Sequence, residues 1–387
     1  MIPLDISATL DPATGIARAV RAFPPQSPDR PLWSVAVDIG MGERRDDQSA
    51  LDITWVGAAG VRQGATFVRA AGEAVERWAL LSRAPLPRAD PSTPHAPAGM
   101  SWAGAPQQED RYSGVFFDGV DRQEVGVPAS AVDYPPLRDS ELVDPGPSGT
   151  AAGMGFDRAL QSACKETIER DAAMRGWSRP QTASRLESTP LERILAGETA
   201  RLLAPVAAAG VDLRVVRLPA VGGVDVLLAL AIDRARSVVG AGLGLESLAQ
   251  HALLRAVQEA LQIRTLLLDL RRLEGTREVA LPIRREIDRA RFWAGASAVR
   301  AADDWLALVP EARDPAADVA PVRDWVALLP RRTVVDLTPR LPERARELNW
   351  AVVRVFCPDL RPLRMSEALA WNAPVEPAAH TFPHPFV

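Results

Sequence analysis

Thiols and imidazoles are scarce in this chain of 387 residues, which holds two cysteines and four histidines. Cys164 and Cys357 lie far apart, so a disulfide framework is excluded and a reducing cytoplasm is the expected compartment. His95, His251, His380 and His384 show no spacing that suits a metal site. Lysine is scarcer still, for Lys165 is the only one among 45 basic residues. Neither glycine cluster of the chain therefore completes a phosphate-binding P-loop. A net charge of −4 gives no electrostatic case for nucleic acid or an anionic membrane. No segment has 18 uninterrupted apolar residues, so no membrane span is expected. The first residues, Met1-Ile-Pro-Leu-Asp-Ile, lack the basic region and apolar run of a signal peptide. No Ser-His-Asp signature is present.

What is abundant is apolar side chain, at 47% of residues, which suits an ordinary globular interior. The length allows one large domain or two to three average ones. Residues 1–31 are Pro-rich and read as extended, with Gly15 and Ile16 opening a first strand. Strands are expected at Trp33–Ile39 and Leu51–Val56, and a helix at Phe67–Leu81. The stretch 85–110 is too long and polar for an ordinary loop and predicts a surface excursion or lid. Strands at Gly114–Phe117 and Glu124–Val127 follow, then a small-residue turn at Ser148–Gly153 and a helix at Asp157–Arg175. A helix at Leu191–Ala209 leads to strands at Val211–Arg217 and Val224–Ile232. Gly240-Ala-Gly242-Leu-Gly244 reads as a turn before a long helix at Ser247–Leu270. Charged helices fill 280–330, two strands follow at Thr333–Leu337 and Ala351–Phe356, and a Pro-rich tail closes the chain. The alternation of strands and helices indicates a mixed α and β fold.

The strongest hint of chemistry is a pentapeptide that occurs twice, as Glu73-Ala-Val-Glu76-Arg77 and Glu166-Thr-Ile-Glu169-Arg170. Residues three apart share a helix face, so each copy sets two carboxylates side by side. Two such helices facing one another would gather four carboxylates, a set that a bound cation stabilises. Glu259, on the long helix, is a fifth candidate ligand. The alternative is solvated helix charge with weak Glu–Arg surface pairs. The repeated pentapeptide also suggests an internal pseudo-repeat of strand-strand-helix units. The glycine clusters at 149–153 and 240–244 could approach a phosphate or serve as plain loops. Cys164 falls among apolar helix positions and reads as core.

The second pentapeptide sits in Ser162-Ala-Cys-Lys-Glu166-Thr-Ile-Glu169-Arg170-Asp171-Ala172, which resembles the Ser-x-x-x-Glu-x-x-Glu-Arg motif of the YcaO family. Ala151-Ala152-Gly153 and Ala159 fit the same pattern. Thr14-Gly15-Ile16 with Arg18 resembles that family's start, and Gly72-Glu73-Ala-Val-Glu76-Arg77 its first ATP-site helix. Leu254-Arg255-Ala-Val-Gln-Glu259-Ala260 with Gln262 and Arg264 resembles the third. Val335–Thr338 and Val352–Val355 resemble strands near its end, so the likeness spans residues 11–387. It implies an α+β, YcaO-like fold in which pseudo-repeated sheet layers pack with helices that carry an ATP and Mg2+ site, over a single domain. It further implies activation of a peptide backbone amide by phosphorylation, with azolines, thioamides or amidines as products in ribosomally made peptides.

On that resemblance Glu73, Glu76, Glu166, Glu169 and Glu259 are the expected Mg2+ ligands or their supports. Arg18, Arg77, Ser162, Arg170, Arg255 and Arg264 are assigned to the nucleotide. Azoline-forming members end in a Pro-x-Pro-x-Pro stretch that reaches the active site. Pro383-His384-Pro385-Phe386-Val387 keeps two of its three prolines, so Pro383, Pro385 and Val387 are the expected catalytic tail, within a Pro-rich segment 373–387. Expected partners are a precursor peptide and a separate leader-binding protein, since no extra N-terminal domain is visible, with a homodimer as the expected oligomer.

Four positions depart from the pattern. Ala59 stands where the family has Lys, Arg69 replaces Ser, Met154 replaces Asn and Arg158 replaces Glu. The departures raise a second reading, a degenerate member that serves as a non-catalytic scaffold. A third keeps the ATP chemistry but makes a thioamide or amidine, or cleaves the amide.

Overall fold

The computed structural model describes residues 4–40, 54–81, 84–104, 110–136, 141–186, 197–312, 322–372 and 380–386. The start of the Leu51–Val56 expectation, residues 191–196 of the expected helix, residues 313–321, part of the 85–110 and 373–387 segments, and Val387 lie outside them.

Every strand pair is antiparallel. A three-stranded sheet runs β1 (Ala19–Phe23), β2 (Trp33–Asp38), β3 (Trp55–Gly60) in that order. A five-stranded sheet has the order β5-β4-β11-β12-β6, from β4 (Arg111–Asp118), β5 (Asp121–Pro128), β6 (Thr150–Met154), β11 (Arg331–Asp336) and β12 (Trp350–Phe356). A four-stranded sheet has the order β10-β9-β8-β7, from β7 (Ser184–Arg185), β8 (Val211–Pro219), β9 (Asp225–Asp233) and β10 (Val238–Gly244). The described helices are α1 (Leu4–Thr9), α2 (Gln63–Leu80), α3 (Ala129–Val132), α4 (Phe156–Ser178), α5 (Gly197–Ala208), α6 (Ala249–Glu274), α7 (Glu286–Trp293), α8 (Ala298–Leu308) and α9 (Glu343–Glu347). Helices segregated onto antiparallel sheets make an α+β fold.

Helix α4 lies between two sheets. It packs on β6 and β12 of the five-stranded sheet and reaches β8, β9 and β10 of the four-stranded one. Its apolar residues Ala163, Cys164, Ile168 and Ala172 are therefore buried in one core with Val353, Leu228 and Leu230. Helix α2 lies over β2 and β3 and also meets β6 and β12. Helix α6 covers β9 and β10.

Four expectations are corrected. Residues 1–31 are not extended throughout, because α1 occupies Leu4–Thr9 and the first strand begins at Ala19, after Gly15 and Ile16. Ser148–Gly153 is mostly strand β6, since a small residue is what lets α4 approach. A Cβ on Gly153 would come within 2.5 Å of the Ala159 nitrogen. Gly240–Gly244 is likewise strand, the buried end of β10.

Its glycines serve helix packing. Gly240, Gly242 and Gly244 face the backbone at Ala260, Ala256 and Ala252 respectively. A step of two residues along a strand is about 6.6 Å, and four along a helix is about 6 Å. The Gly-x-Gly-x-Gly strand and the Ala-x-x-x-Ala-x-x-x-Ala helix thus stay in register across three contacts.

The fourth correction concerns the lid reading of residues 85–110: their described part is largely exposed, as a surface excursion would be, but it is pinned down. The Ala89 N–H donates to Arg111 O and the Ser113 N–H to Pro87 O, while the Ala96 N–H donates to Gly126 O and the Gly126 N–H to Pro94 O. Leu86, Ala96 and Trp102 are buried, with the Trp102 ring edge-on to Phe356 at 5.3 Å. The polar composition hid three buried anchors.

Candidate active site

Three helices from separate parts of the chain bring their carboxylates together. Glu73 and Glu76 lie on the second half of α2, Glu166 and Glu169 in the middle of α4, and Glu259 in the middle of α6. Arg77 and Arg170 sit on the same faces, Arg77 Nε 2.8 Å from Glu73 and Arg170 3.3 Å from Glu166. Arg77 also stands 3.9 Å from Glu76. Glu259 accepts a hydrogen bond from the Leu243 backbone N–H at 2.8 Å, which fixes one of its oxygens against β10.

Burial and mutual repulsion act together on these groups. Burial pushes the Glu76 carboxyl well above its usual range, and the charges of Glu73 and Glu166 add to it. Burial also raises Glu166, with Glu169 and Glu73 adding repulsion against Arg170. Glu259 is raised by burial, and by Glu169, against the pull of Arg170. These shared neighbours place all five carboxylates in one electrostatic cluster. The guanidiniums respond in the opposite sense. Arg255 is held above its usual value by Glu169 first, then Glu259 and Glu246. Burial works against the charges of Arg77 and Arg170, yet their carboxylate neighbours outweigh it.

Two oxygens in the cluster are orphaned. Glu166 Oε2 and Glu169 Oε2 are buried and, among the described residues, lack a hydrogen-bond partner. An unpartnered buried carboxylate oxygen is costly, and a hard cation is the ligand that such oxygens suit. No three His, Cys, Asp or Glu side chains among the described residues close on a common point. The donor set fits a cation that takes one or two carboxylates and completes its shell elsewhere, as Mg2+ does with phosphates and water.

A model of the YcaO cyclodehydratase family, described as ATP- and Mg2+-binding, matches residues 57–361. The chain belongs to the YcaO family. ATP and Mg2+ are that family's cofactors. The fold agrees with solved YcaO structures. A YcaO from Methanopyrus kandleri bound with AMPPCP and Mg2+ aligns over 97% of this chain and 94% of its own, at TM-score 0.65 and 20% identity. A heterocyclase in complex with substrate and cofactor aligns at TM-score 0.71 and 16% identity, over 99% of this chain and 57% of the heterocyclase. The E. coli microcin synthetase McbBCD complex aligns over 88% of both chains at TM-score 0.60 and 15% identity. No curated protein sequence matches.

The remaining assigned residues divide. Ser162 is exposed one turn before Glu166 on the same face of α4, and Arg255 precedes Glu259 by one turn on α6. Arg18 is exposed and its side chain lies against Gly40, with no described link to the carboxylates. Arg264 is committed to structure. Its guanidinium donates to Asp233 at 2.5 Å and 3.1 Å and to the Asp29 carboxylate at 2.5 Å, and it is 1% exposed. Pro383 and Pro385 are buried.

Arg69 reaches across the cleft. It donates to the Ala59 carbonyl and, at 2.7 Å, to Gln258 Oε1 on α6. Burial lowers its pKa, and Arg255 lowers it further. Gln262 completes the join by accepting from Ala59 N at 2.9 Å and donating to Gly57 O at 3.4 Å, as a neighbouring strand would. Met154 ends β6, and Arg158 is exposed in the first turn of α4.

Sequence reasoning missed two charged groups. Lys165 pairs with Glu246 at 2.7 Å, and Glu246 also receives Arg255 at 3.5 Å, so one carboxylate ties α4 to α6. Arg354 is buried beneath the cluster, donating to Val132 O at 2.9 Å, and burial drops its pKa to about 10 despite Asp133, Glu166 and Glu76. The signal was available, because a lone arginine in the apolar run Val352-Val353-Arg354-Val355 demands a buried partner. Arg354 and Arg170 also line a cavity with Thr167, Leu360, Pro362 and Leu363.

Proposed function

We propose that this protein phosphorylates a backbone amide of a ribosomally made precursor peptide and so drives azoline formation by cyclodehydration. The observation that carries this reading is the convergence of five glutamates from three helices with two orphaned oxygens at Glu166 and Glu169. Glu166 and Glu169 would hold Mg2+, with Glu73, Glu76 and Glu259 as their close supports, in the way that hard cations take one or two carboxylates. Arg77, Arg170 and Arg255, with the Ser162 hydroxyl, would contact the phosphates, a task that suits the guanidinium fork. Bound there, ATP supplies the phosphoryl group that turns an amide oxygen into a leaving group.

The chain's own residues set the charge balance of the cleft. The arginines offset the carboxylates while the site is free and screen phosphate charge when it is filled. The cavity lined by Arg170 and Arg354 would take the substrate segment. The fold likeness to a heterocyclase in complex with substrate supports a peptide substrate. The likeness to the McbBCD complex supports a separate partner protein.

One observation favours a scaffold instead: Arg69 spans from α2 to Ala59 O and Gln258, across the position where the family carries Lys. Titration calorimetry with Mg2+ and ATP separates the two. The enzyme reading expects binding that Glu166→Ala abolishes; absence of binding to the wild-type protein overturns it. Mass spectrometry of a precursor peptide incubated with protein, partner and ATP then reads the product. Loss of one water per ring marks an azoline, and exchange of oxygen for sulfur marks a thioamide.

A further inference from the structure

We infer that Trp177 and Trp293 are positioning residues that grip the Phe382–Phe386 segment by its backbone carbonyls and so fix where it lies against α4 and α7. Trp177 Nε1 donates to Phe382 O at 3.3 Å, and Trp293 Nε1 donates to His384 O at 3.0 Å. Those carbonyls flank Pro383, two residues apart. The segment is suited to this grip, because Pro383 and Pro385 carry no N–H and present acceptors without donors. Aromatic-lined grooves with donor groups take Pro-containing chains in this way.

The grip is reinforced on its remaining sides. His380 Nε2 meets Trp177 O at 2.7 Å, and its ring stands edge-on to the Trp177 ring at 5.2 Å. Trp305 stacks on Trp177 at 4.7 Å and donates to the Trp177 carbonyl. His384 Nε2 meets Arg364 O at 2.8 Å. The run 360–364 thereby touches both features, with Leu360, Pro362 and Leu363 on the cavity and Arg364 on the segment.

What this placement serves rests on the function proposed above; the grip itself does not.

Hydrogen exchange of the nucleotide-free full chain tests it. Each hydrogen bond contributes about 0.5–1.5 kcal/mol, so Trp293→Phe and Trp177→Phe, which keep a ring and remove the N–H, should each speed exchange at His384 and Phe386 about two- to tenfold. Exchange at Ile168 should stay unchanged. The His384 ring, kept neutral by burial among Arg289, Arg364 and Arg170, should also titrate closer to an ordinary histidine in both variants. If a Trp variant does not fold, Pro385→Ala, which leaves both indoles in place, should speed the same exchange. Unchanged exchange at His384 and Phe386, or a rise shared equally by Ile168, overturns the inference. Because no nucleotide enters either readout, failure to bind ATP would sink the proposed function and leave this result standing.

Discussion

Removing the charge of Glu76 should stabilise the Mg2+-free protein, and the gain should grow with pH. Burial, Glu73 and Glu166 all raise the pKa of this carboxyl in the fold. A raised carboxyl binds more protons in the native state than in the unfolded chain, so stability falls as pH rises. The contribution is intact below the unfolded value of about 4.3 and is lost as pH climbs through the native value. Each unit between the two costs about 1.4 kcal/mol once pH exceeds both. For 387 residues the unfolding entropy is about 0.8 kcal/mol/K, so each such unit moves Tm by about 1.7 °C. Glu76→Gln should therefore melt above wild type at pH 8, and level with it near pH 4.5. Mg2+ at a hundred times its Kd adds about 2.7 kcal/mol, or roughly 3 °C, to wild type at pH 8. The variant should lose most of that increment. Scanning calorimetry at both pH values, with and without Mg2+, measures all four terms. A variant that melts below wild type at pH 8 and keeps the full Mg2+ increment refutes the reasoning.

Arg255 and Arg264 share one helix and should separate cleanly. Arg264→Met takes from buried Asp233 one of its two guanidinium partners and leaves Arg236 at 2.9 Å, so it should lower stability in denaturant titrations by less than the about 3–5 kcal/mol of a fully stranded charge. Arg255→Met should weaken Mg2+-ATP binding at least tenfold by calorimetry and leave the denaturation midpoint near that of wild type. Gly242→Ala places a methyl 2.7 Å from Glu259 Cβ and against the Ala256 carbonyl. It should cost about 1–3 kcal/mol through overpacking, whereas a plain loop glycine there would tolerate the change in the same titration.

The clustering of the carboxylates was legible because its signal is local. Glu73 and Glu76, or Glu166 and Glu169, sit three apart on helices whose apolar spacing was plain, and motif order linked them to Glu259. Arg264 was misplaced for the same reason. Its spacing from Glu259 carried no information about Asp29 and Asp233, which belong to a loop and a strand far away in sequence. Gly240–Gly244 read as a turn because glycine weakens a strand locally. The partner that reverses that preference, the alanine stripe of α6, acts only once helix and strand pack. The 85–110 segment misled similarly, for Trp102 gains its place from Phe356, more than 200 positions downstream. Composition reports polarity and cannot report which few side chains are anchors.

Sheet borders bear on how the molecule behaves in a crowded solution. A free strand edge offers unpaired amides to any other chain and invites fibril-like growth. Here the side-chain amide of Gln262 engages the border of β3, and the Pro94–Ala96 backbone engages that of β5. Neither cover is another strand: one is a side chain of α6 and the other a short backbone segment. Substitutions at Gln262 or within 94–96 would therefore register first as turbidity and lost soluble yield, before any loss of secondary structure.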